Sequence, residues 1–498
     1  MQENTTKIAD RSQSPLDPQD WEQFRDSAHK LLDSCIDRMA AAHEHPWQPV
    51  PADTIATYRL GREPASHGFD DLVEILRRDI LPFNTGNTHP RFFGWVHGTG
   101  LAVGLMAEMA AATMNSNCGG RDHAAVYIER AVIEWCRDVF GFPATTSGVL
   151  VTGTSQATVI ALAAARQKAL GAESRRNGVR GAPPLTAYAV VGTHNATTKA
   201  LELLGLGSSC LRTIPRDADG SMDMGALKCA VEQDRQAGAK PFCVIGTAGS
   251  VDLGLYDHLD EIAAFCTEQH IWFHVDGAFG AWSRIAEEPW ASLAKGLEQA
   301  DSLAFDFHKW MYVQYDCGVV LIRDEQDHRA AFAARPAYLA GQHQGLAGGD
   351  PWYCDYGTDL SRGFRALKIW SALKVHGLSA FSAAITRNCQ QASLMGRLVQ
   401  ASSGLDLALP VRSNVCCFSA VLPCLSELER DEIHNSIAQT LQMNGAVVFS
   451  TTRVGERVVL RAAIVNHRTS DADIHYAIAA VEQARDMLAD THTGTSTA

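Results

Sequence analysis

The chain has 498 residues, of which 46% are hydrophobic and 20% are charged, and its formal net charge is -13. This composition is typical of a folded globular protein with a large core, and the length favours two or more domains. The negative charge argues against a nucleic acid or an anionic membrane as the main partner, because both attract clustered lysine and arginine. We therefore expect a small-molecule partner.

The N-terminal region predicts a helix and shows no targeting signal. The first fifteen residues lack the apolar core of a signal peptide, and no apolar run in the chain reaches transmembrane length. Apolar residues from Phe24 to Met39 recur at helical spacing and predict an amphipathic helix that ends before HEHPWQPVP. The thirteen cysteines include no CxxC pair, so we expect reduced thiols in a cytoplasmic protein.

Between about residues 145 and 320, β-rich runs alternate with amphipathic stretches, which is typical of a mostly parallel α/β sheet. The expected strands are GVLVTG, AYAVVG, PFCVIGTAG, IWFHVDGAF and CGVVLIR. After about residue 371, VCCFSAVLP and RVVLRAAIV predict antiparallel strands, and a helix is expected after each of them. The expected divisions are an N-terminal helical segment (1–85), a large domain (86–370), a small α+β domain (371–485) and a disordered tail (486–498).

Residues that follow strands are the first candidates for a site, because ligands of open α/β sheets lie beyond the carboxyl ends of the strands. Gly153, Thr154 and Ser155 lead from the first expected strand into an alanine-rich helix. This arrangement either binds a phosphate group or serves as an ordinary N-cap. Neither GxGxxG nor GxxxxGK[ST] occurs, so the sequence gives no support for a nucleotide.

Four further residues near expected strand ends carry reactive groups: His194, Thr247, Asp276 and, 33 positions later, Lys309. Each has an ordinary structural explanation by itself, such as a lysine whose stem packs while its ammonium reaches water. Asp276, however, ends a strongly apolar strand and needs a cationic or hydrogen-bonding partner. Together with the possible phosphate loop, these groups fit pyridoxal 5'-phosphate (PLP), which has a phosphate, a flat ring, a basic nitrogen and an aldehyde.

Each part of PLP then has an expected partner. Gly153, Thr154 and Ser155 would hold the phosphate, and Lys309 would form the covalent bond to the aldehyde carbon. Asp276 would keep the ring nitrogen protonated, which makes the ring an electron acceptor. The remaining candidates pack on the two ring faces, with His194 on one and Ala278 on the other.

Five motifs resemble the group II pyridoxal-phosphate-dependent amino acid decarboxylases, which include the aromatic-L-amino-acid and glutamate decarboxylases. They are HPRFFGW (89–95), GTSQAT (153–158), HVDGAFG (274–280), DFHKW (306–310) and SRGFRALKIW (361–370), within a resemblance from about residue 20 to 485. The resemblance implies a fold-type-I enzyme whose large domain contains a mostly parallel seven-stranded sheet. It also implies a homodimer with active sites at the interface, in which the N-terminal segment packs on the partner subunit.

The resemblance implies catalytic roles as well. Lys309 corresponds to the Schiff-base lysine, Asp276 to the partner of the pyridine nitrogen, and His194 to the histidine that stacks on the ring. Tyr338, in RPAYLAG, corresponds to the mobile-loop tyrosine that protonates the decarboxylated carbon of the substrate.

Other pocket positions carry over less directly. Thr247 and His308 correspond to further pocket residues, and Ser155 to the phosphate loop. Asp306 is expected near the phosphate, at a position where many aromatic decarboxylases have asparagine. The sequence VHG (96–98) replaces a Phe-Pro-Thr type of substrate-pocket sequence.

The substrate side chain is left open by the sequence, and we expect an aromatic one. An acidic substrate would need a pocket arginine, for which Arg91 and Arg121 are candidates. The candidate substrate-binding residues are Trp95, His97, Trp310, Tyr312 and Tyr315.

Several other functions remain as alternatives. An aldehyde synthase would let oxygen, and not a proton, react with the decarboxylated carbon, but the presence of both His194 and Tyr338 favours the proton. A transaminase is less favoured because DFHKW resembles decarboxylases. A non-catalytic relative would be expected to lose Asp276, Lys309 or His194, and all three are present. A metal site at HEH (43–45) has no support from an HExxH or Cys/His spacing.

Overall fold

The computed structural model describes residues 16–64, 66–334, 342, 344–423 and 425–495, with side chains up to residue 489. The chain comprises two compact units, Met1–His89 and Pro90–Ala498. The boundary lies close to the one expected between residues 85 and 86. The second unit contains both of the regions that the sequence analysis divides near residue 371.

The first unit is helical, as the sequence predicts. Helix α1 (Trp21–Ala40) begins where Asp20 accepts the backbone N–H groups of Glu22 and Gln23, and it includes the expected amphipathic stretch. Lys30 Nζ donates to Asp70 Oδ1 at 2.9 Å, which ties α1 to the third helix. The other α-helices of this unit are α2 (Ala52–Thr57) and α3 (Phe69–Ile75).

The second unit is built on a seven-stranded sheet with the order β1-β7-β6-β5-β4-β2-β3. Strand β7 is antiparallel to its neighbours β1 and β6, and the other neighbouring pairs are parallel, which confirms the expected mostly parallel sheet. The carboxyl ends of six strands therefore meet at one edge. The strands are β1 (Ser147–Val151), β2 (Leu185–Val190), β3 (Leu211–Ile214), β4 (Lys240–Thr247), β5 (Trp272–Asp276), β6 (Ser302–Asp306) and β7 (Gly318–Ile322).

Two of these strands were not among the five expected from the sequence. Strand β3 is short, and only Ile214 of its four residues is buried, so it lacks a clear apolar pattern. Strand β6 is buried throughout but has only five residues and runs directly into the polar DFHKW motif. Short strands of this kind are set by pairing with their neighbours more than by their own sequence.

Helices cover both faces of this sheet. Helix α6 is alanine-rich, and its small buried side chains let it pack closely on the central strands. The helices around the sheet are α4 (Ala102–Met114), α5 (Ala124–Phe140), α6 (Thr154–Leu170), α7 (Glu173–Asn177), α8 (Asn195–Leu203), α9 (Met224–Gln236), α10 (Leu259–Gln269) and α11 (Glu325–Phe332).

The C-terminal region has a second, antiparallel sheet with the order β10-β11-β9-β8. The two expected strands correspond to β9 (Val415–Ala420) and β11 (Arg457–Ala463). The outer strands of the sheet are β8 (Leu405–Leu407) and β10 (Ser450–Val454). Helix α12 (Ala366–Ala401), with a kink at Gly377, spans the expected boundary near residue 371. The two expected helices are α13 (Glu427–Met443) and α14 (Asp471–Thr495).

Helix α14 includes residues 486–495 of the segment for which the sequence predicts disorder. Its apolar spacing continues through Met487 and Leu488, which accounts for a helix that extends past the expected end. Residues 496–498 lie outside the described part of the chain. Among the helices that the structure describes, none is long and apolar enough to cross a membrane.

Candidate active site

The carboxyl edge of the large sheet encloses a cavity of about 490 Å³. It brings together all of the predicted cofactor-binding and catalytic residues except Tyr338, which lies outside the described residues. The predicted residues that line it are Trp95, His97, Gly153, Thr154, Ser155, His194, Thr247, Asp276, Ala278, Asp306, His308, Lys309 and Tyr315.

The loop between β1 and α6 presents the N-terminus of a buried helix to the cavity. A Cβ atom at Gly153 would lie 3.3 Å from His308 Cε1, and one at Gly318 would lie 2.5 Å from Gly153 Cα. Glycine at 318 thus lets the start of β7 pack directly against the loop, and glycine at 153 leaves room beside the His308 ring. Thr154 Oγ1 is buried without a hydrogen-bond partner among the described residues, and the neighbouring Ser155 is exposed. Hydroxyl and N–H groups at a helix N-terminus are suited to binding an anion.

Asp276, at the end of β5, and His194, after β2, both line the cavity, and the end of β4 lies between their strands. Asp276 is 6% exposed, and its Oδ1 accepts the N–H of Ala278 at 3.2 Å. Burial raises the pKa of Asp276 above its ordinary value, while the positive charge of Lys309 is the main influence that opposes this shift. His194 is the N-cap of α8, where its Nδ1 accepts the N–H of Ala196 at 3.2 Å and leaves Nε2 for the cavity.

Asp306 is the last residue of β6, and His308 and Lys309 lie in the turn that follows it. Lys309 Nζ donates to Asp306 Oδ2 at 2.7 Å, and the N–H of Thr154 donates to Asp306 Oδ1 at 2.8 Å. Asp306 is only 1% exposed, so these donors compensate for the loss of water around its charge. Asp306 therefore contacts both the predicted phosphate loop and the predicted reactive lysine, and only the first of these contacts was expected.

The connection between β6 and β7 is fixed at both ends. Phe307 N–H donates to Cys317 O at 2.9 Å, and Cys317 N–H donates to His308 Nδ1 at 3.0 Å. Gly98 N–H donates to His308 O at 3.1 Å from outside the connection. Because His308 Nδ1 accepts a hydrogen bond, the proton of the neutral ring is on Nε2. Burial lowers the pKa of His308, which favours this neutral form.

Aromatic rings form one wall of the cavity. The ring of His97 stacks on Trp95 with 6.1 Å between centroids and meets the ring of Tyr315 edge-on at 6.1 Å. Burial, and then the charge of Lys309, lower the pKa of His97, so its imidazole is neutral near pH 7. Trp95 and Tyr315 are each about half exposed.

Two aromatic candidates do not line the cavity. Trp310 Nε1 and Tyr312 Oη both donate to Asn388 Oδ1, at 3.1 and 2.8 Å, and both rings are fully buried in the core. The expectation that they belong to an aromatic pocket is therefore wrong. Their side chains point into the packed interior, which a sequence pattern does not reveal.

Neither arginine candidate for an acidic substrate lines the cavity. Arg91 lies 3.6 Å from Asp473 and packs over the ring of Tyr476. Arg121 packs over the ring of Trp352. Both guanidinium groups thus have structural partners within the described residues.

Sequence analysis missed several residues of the lining and its support. Phe279 directly follows Ala278, and residues 249–251 begin two positions after Thr247, so reading a few positions further would have found these lining residues. Behind Thr247, the carboxylate of Asp257 accepts the N–H groups of Thr247 and Met222, each at 2.8 Å. Burial raises the pKa of Asp257 to about 6. No sequence signal connects Asp257 with the site.

The donor set of the cavity fits PLP. Thr154 Oγ1 and Thr247 Oγ1 are buried hydroxyl groups without hydrogen-bond partners among the described residues, as expected of groups that bind a polar ligand. The buried carboxylate of Asp276, with its raised pKa, is suited to a protonated ring nitrogen. Lys309 is the amine that an aldehyde requires. Within the described ranges, no group of three or more histidine, cysteine or acidic residues is placed to hold a metal ion.

Comparisons with known proteins agree with this chemistry. The family model of the pyridoxal-dependent decarboxylase conserved domain matches residues 60–421. The aromatic-L-amino-acid decarboxylase of Bacillus atrophaeus is 30% identical over 458 residues, which cover 91% of this chain and 93% of that protein. The phenylacetaldehyde synthase of Arabidopsis thaliana is 25% identical and covers 95% of this chain and 98% of its own.

The fold agrees as well. The crystal structure of Oryza sativa TDC with PLP and tryptamine matches with a TM-score of 0.87 at 25% identity, covering 95% of this chain and 99% of that chain. This likeness confirms the expected fold-type-I architecture. The chain therefore belongs to the pyridoxal-dependent decarboxylase family, and it is a decarboxylase with PLP as its cofactor.

Proposed function

We propose that this enzyme converts an aromatic L-amino acid into the corresponding amine and carbon dioxide. The observation that carries the proposal is the composition of the cavity wall. Trp95, His97, Phe279 and Tyr315 supply rings, and Lys309 is the only lysine or arginine among the described residues of the lining. An acidic side chain would find no free cation there, whereas an aromatic one would pack against rings. The similarity to proteins named aromatic-L-amino-acid decarboxylase supports the same substrate class.

In this proposal the protein residues bind and orient the reacting groups. Bound PLP supplies an electron-accepting ring that stabilises the negative charge left on the α-carbon. Thr154 and Ser155, with the N-terminus of α6, would hold the phosphate group, and Asp276 would keep the ring nitrogen protonated. His194 and Ala278 would pack on the two faces of the ring. The support for these roles is the burial of Asp276 and the unpartnered hydroxyl of Thr154.

Three more residues complete the cofactor site. Lys309 would hold the cofactor covalently through its side-chain amine. Thr247, held by Asp257, places its free hydroxyl against the cofactor. His308 offers its Nε2–H group toward Asp306, from which it lies 3.6 Å away.

The proton that replaces the carboxylate needs an acid at the cavity. From the family resemblance we assign this role to Tyr338, which lies outside the described residues. His194 is the second candidate, because its Nε2 is not used by the helix cap and its ring lines the cavity.

The proposal includes a homodimer with active sites at the interface and the N-terminal segment packed on the partner subunit. In the first unit, Trp21 and Ile36 of α1 are 54% and 49% exposed. In the second unit, Met106 of α4 is 71% exposed. A partner subunit would cover exposed apolar side chains such as these where they form a continuous patch. Light scattering should give about twice the chain mass, and a monomer at working concentrations would refute the dimer.

We also propose a cytoplasmic location. The twelve cysteines in the described part of the chain are all free thiols. Free thiols in this number are typical of proteins that function in a reducing compartment.

One panel of assays tests the substrate and the reaction together. Purified enzyme with PLP is supplied separately with tyrosine, tryptophan, phenylalanine, glutamate and aspartate, while carbon dioxide, amine, aldehyde and peroxide are measured. We expect equal amounts of carbon dioxide and amine, from aromatic substrates. Fastest turnover of glutamate or aspartate would refute the aromatic preference. Aldehyde with peroxide in place of amine would identify an aldehyde synthase.

A further inference from the structure

The motif SRGFRALKIW (361–370) has no role in the proposed function, although it is one of the five motifs that carry the family resemblance. It leads into α12, and Lys368 lies in the first turn of this helix with only 5% of its surface exposed. The helix dipole opposes a cation at this position, and burial of an ammonium group is costly unless the group is paired. The partners of Lys368 must therefore compensate for both costs.

The partners of this motif lie on α4 and on the connection between β6 and β7. Lys368 Nζ lies 2.6 Å from Glu108 Oε1 of α4, and it also donates to the backbone oxygen of Tyr315 at 3.0 Å. Directly before the helix, Arg365 Nε donates to Asp316 Oδ1 at 2.8 Å. The two cations therefore attach the start of α12 to two consecutive residues of the connection.

The ring of Tyr315 depends on this attachment for its position. Tyr315 is about half exposed, so packing in the core does not by itself hold the ring. The ring lies 4.4 Å from the ring of His308 and 6.1 Å from that of His97, measured between centroids. A shift of the Tyr315 backbone would move the ring away from both neighbours and would change the shape of the cavity wall.

We propose that Arg365 and Lys368 are positioning residues for substrate binding. By holding Asp316 and the backbone oxygen of Tyr315, they fix the ring against which the side chain of the substrate packs. Neither cation lines the cavity, so both act through the segment that carries Tyr315. This role rests on the proposed function, in which Tyr315 belongs to the wall that binds an aromatic substrate.

Steady-state kinetics of the PLP-bound enzyme tests the role. Lys368→Met keeps the apolar stem and removes the ammonium group, while Glu108 is half exposed and can be hydrated. We expect KM for the best aromatic substrate to rise by about 10- to 100-fold, the effect of a misplaced binding group. The wall contacts the substrate before and during the reaction, so kcat should change less than KM. A variant that had merely lost folded protein would lower the apparent kcat and leave KM unchanged.

The matched control is Lys374→Met. Lys374 is an exposed lysine of the same helix that packs over the ring of Trp370 and does not line the cavity. Its replacement removes the same charge from α12 and should leave KM unchanged. An equal rise of KM in both variants would overturn the proposal, because it would follow from the lost charge and not from the contact with Tyr315.

A double-mutant cycle tests whether the effect passes through the ring. Tyr315→Leu removes the ring, so Lys368→Met should have little further effect on KM in that background. Equal fold-changes of KM with and without the ring would show that Lys368 acts by another route, and would overturn the proposal.

Fluorine NMR of the cofactor-free protein reports the position of the ring without turnover. The protein is labelled with fluorotyrosine, and the signal of Tyr315 is identified by its loss in Tyr315→Phe. We expect this signal to shift in Lys368→Met and to stay in place in Lys374→Met. Arg365→Met, which releases Asp316, should shift it as well and serves if Lys368→Met does not fold. An unshifted signal in a variant with the circular dichroism of the wild type would overturn the proposal.

The failure of this role and the failure of the proposed function give different results. Fastest turnover of glutamate or aspartate by the wild type would refute the proposed function, and the role in substrate binding with it. If the wild type prefers aromatic substrates but KM is unchanged in folded Lys368→Met, the proposed function stands and the role of the two cations is wrong.

Discussion

Replacement of Asp276 by asparagine should stabilise the cofactor-free protein against unfolding and lower its affinity for PLP. Asparagine keeps an oxygen to accept the N–H of Ala278 but has no charge. Burial raises the pKa of Asp276 above its ordinary value of 3.8. The ionised carboxylate therefore destabilises the cofactor-free fold at pH values above 3.8. Asp276→Asn removes this cost at pH 7 and makes no difference at pH values where Asp276 is already protonated.

The effect on PLP has the opposite sign. With the cofactor bound, the buried carboxylate would face a protonated ring nitrogen, and truncating one partner of such a pair costs about 2 to 5 kcal/mol. At 1.36 kcal/mol for each factor of ten, PLP affinity should fall by about 30- to 5,000-fold. The rate of decarboxylation should also fall, because an unprotonated ring accepts negative charge poorly.

Thermal unfolding with and without PLP, combined with fluorescence titration of PLP, measures both effects. The control is Asp301→Asn, since burial also raises the pKa of Asp301 but that residue does not line the cavity. The control should stabilise the protein in the same direction and leave PLP affinity unchanged. The reasoning is refuted if cofactor-free Asp276→Asn unfolds at a lower temperature than the wild type, or if it binds PLP equally well.

Four further predictions concern other residues. Lys309→Ala should abolish the borohydride-fixed PLP adduct, as checked by mass spectrometry of peptides, while circular dichroism remains close to that of the wild type. Tyr338→Phe should slow amine formation by about 10²- to 10⁴-fold and increase oxygen uptake, and wild-type amine formation without oxygen uptake would exclude the tyrosine as the acid. His97→Leu should lower the ratio of kcat/KM for tyrosine to kcat/KM for phenylalanine by about 2- to 13-fold. This is the effect of losing one hydrogen bond between the neutral imidazole and the tyrosine hydroxyl group. Glu129→Gln should lower the free energy of unfolding, measured by denaturant titration, by about 3 to 5 kcal/mol, because it leaves the charge of the buried Arg362 unpaired. The double variant Glu129→Gln with Arg362→Met should recover part of that loss.

The sequence predicted those site residues that stand at or just after the ends of strands. Gly153, Thr247 and Asp276 each stand at or just after a buried strand, and parallel strands carry such residues to one edge of the sheet. Lys309 follows the same rule, although strand β6 in front of it was not among the expected strands. The alternation of strands and helices was therefore enough to bring these groups together.

Contacts that depend on the direction of a side chain could not be predicted. Trp310 and Tyr312 are close to Lys309 in the chain, yet they point into the core toward Asn388. The buried pair of Glu129 and Arg362 joins residues 233 positions apart, and nothing in either local sequence indicates the other.

The connection between β6 and β7 has a consequence for engineering. The backbone around Lys309 is held by Cys317 on its own hairpin and by Gly98 from a distant part of the chain, and its acidic neighbour is held by Thr154. A grafted peptide that carried only residues 302–322 into another scaffold would bring the lysine without Gly98 and Thr154. New chain termini or inserted domains would be tolerated poorly between residues 307 and 317, because they would release the lysine from three separate attachments at once.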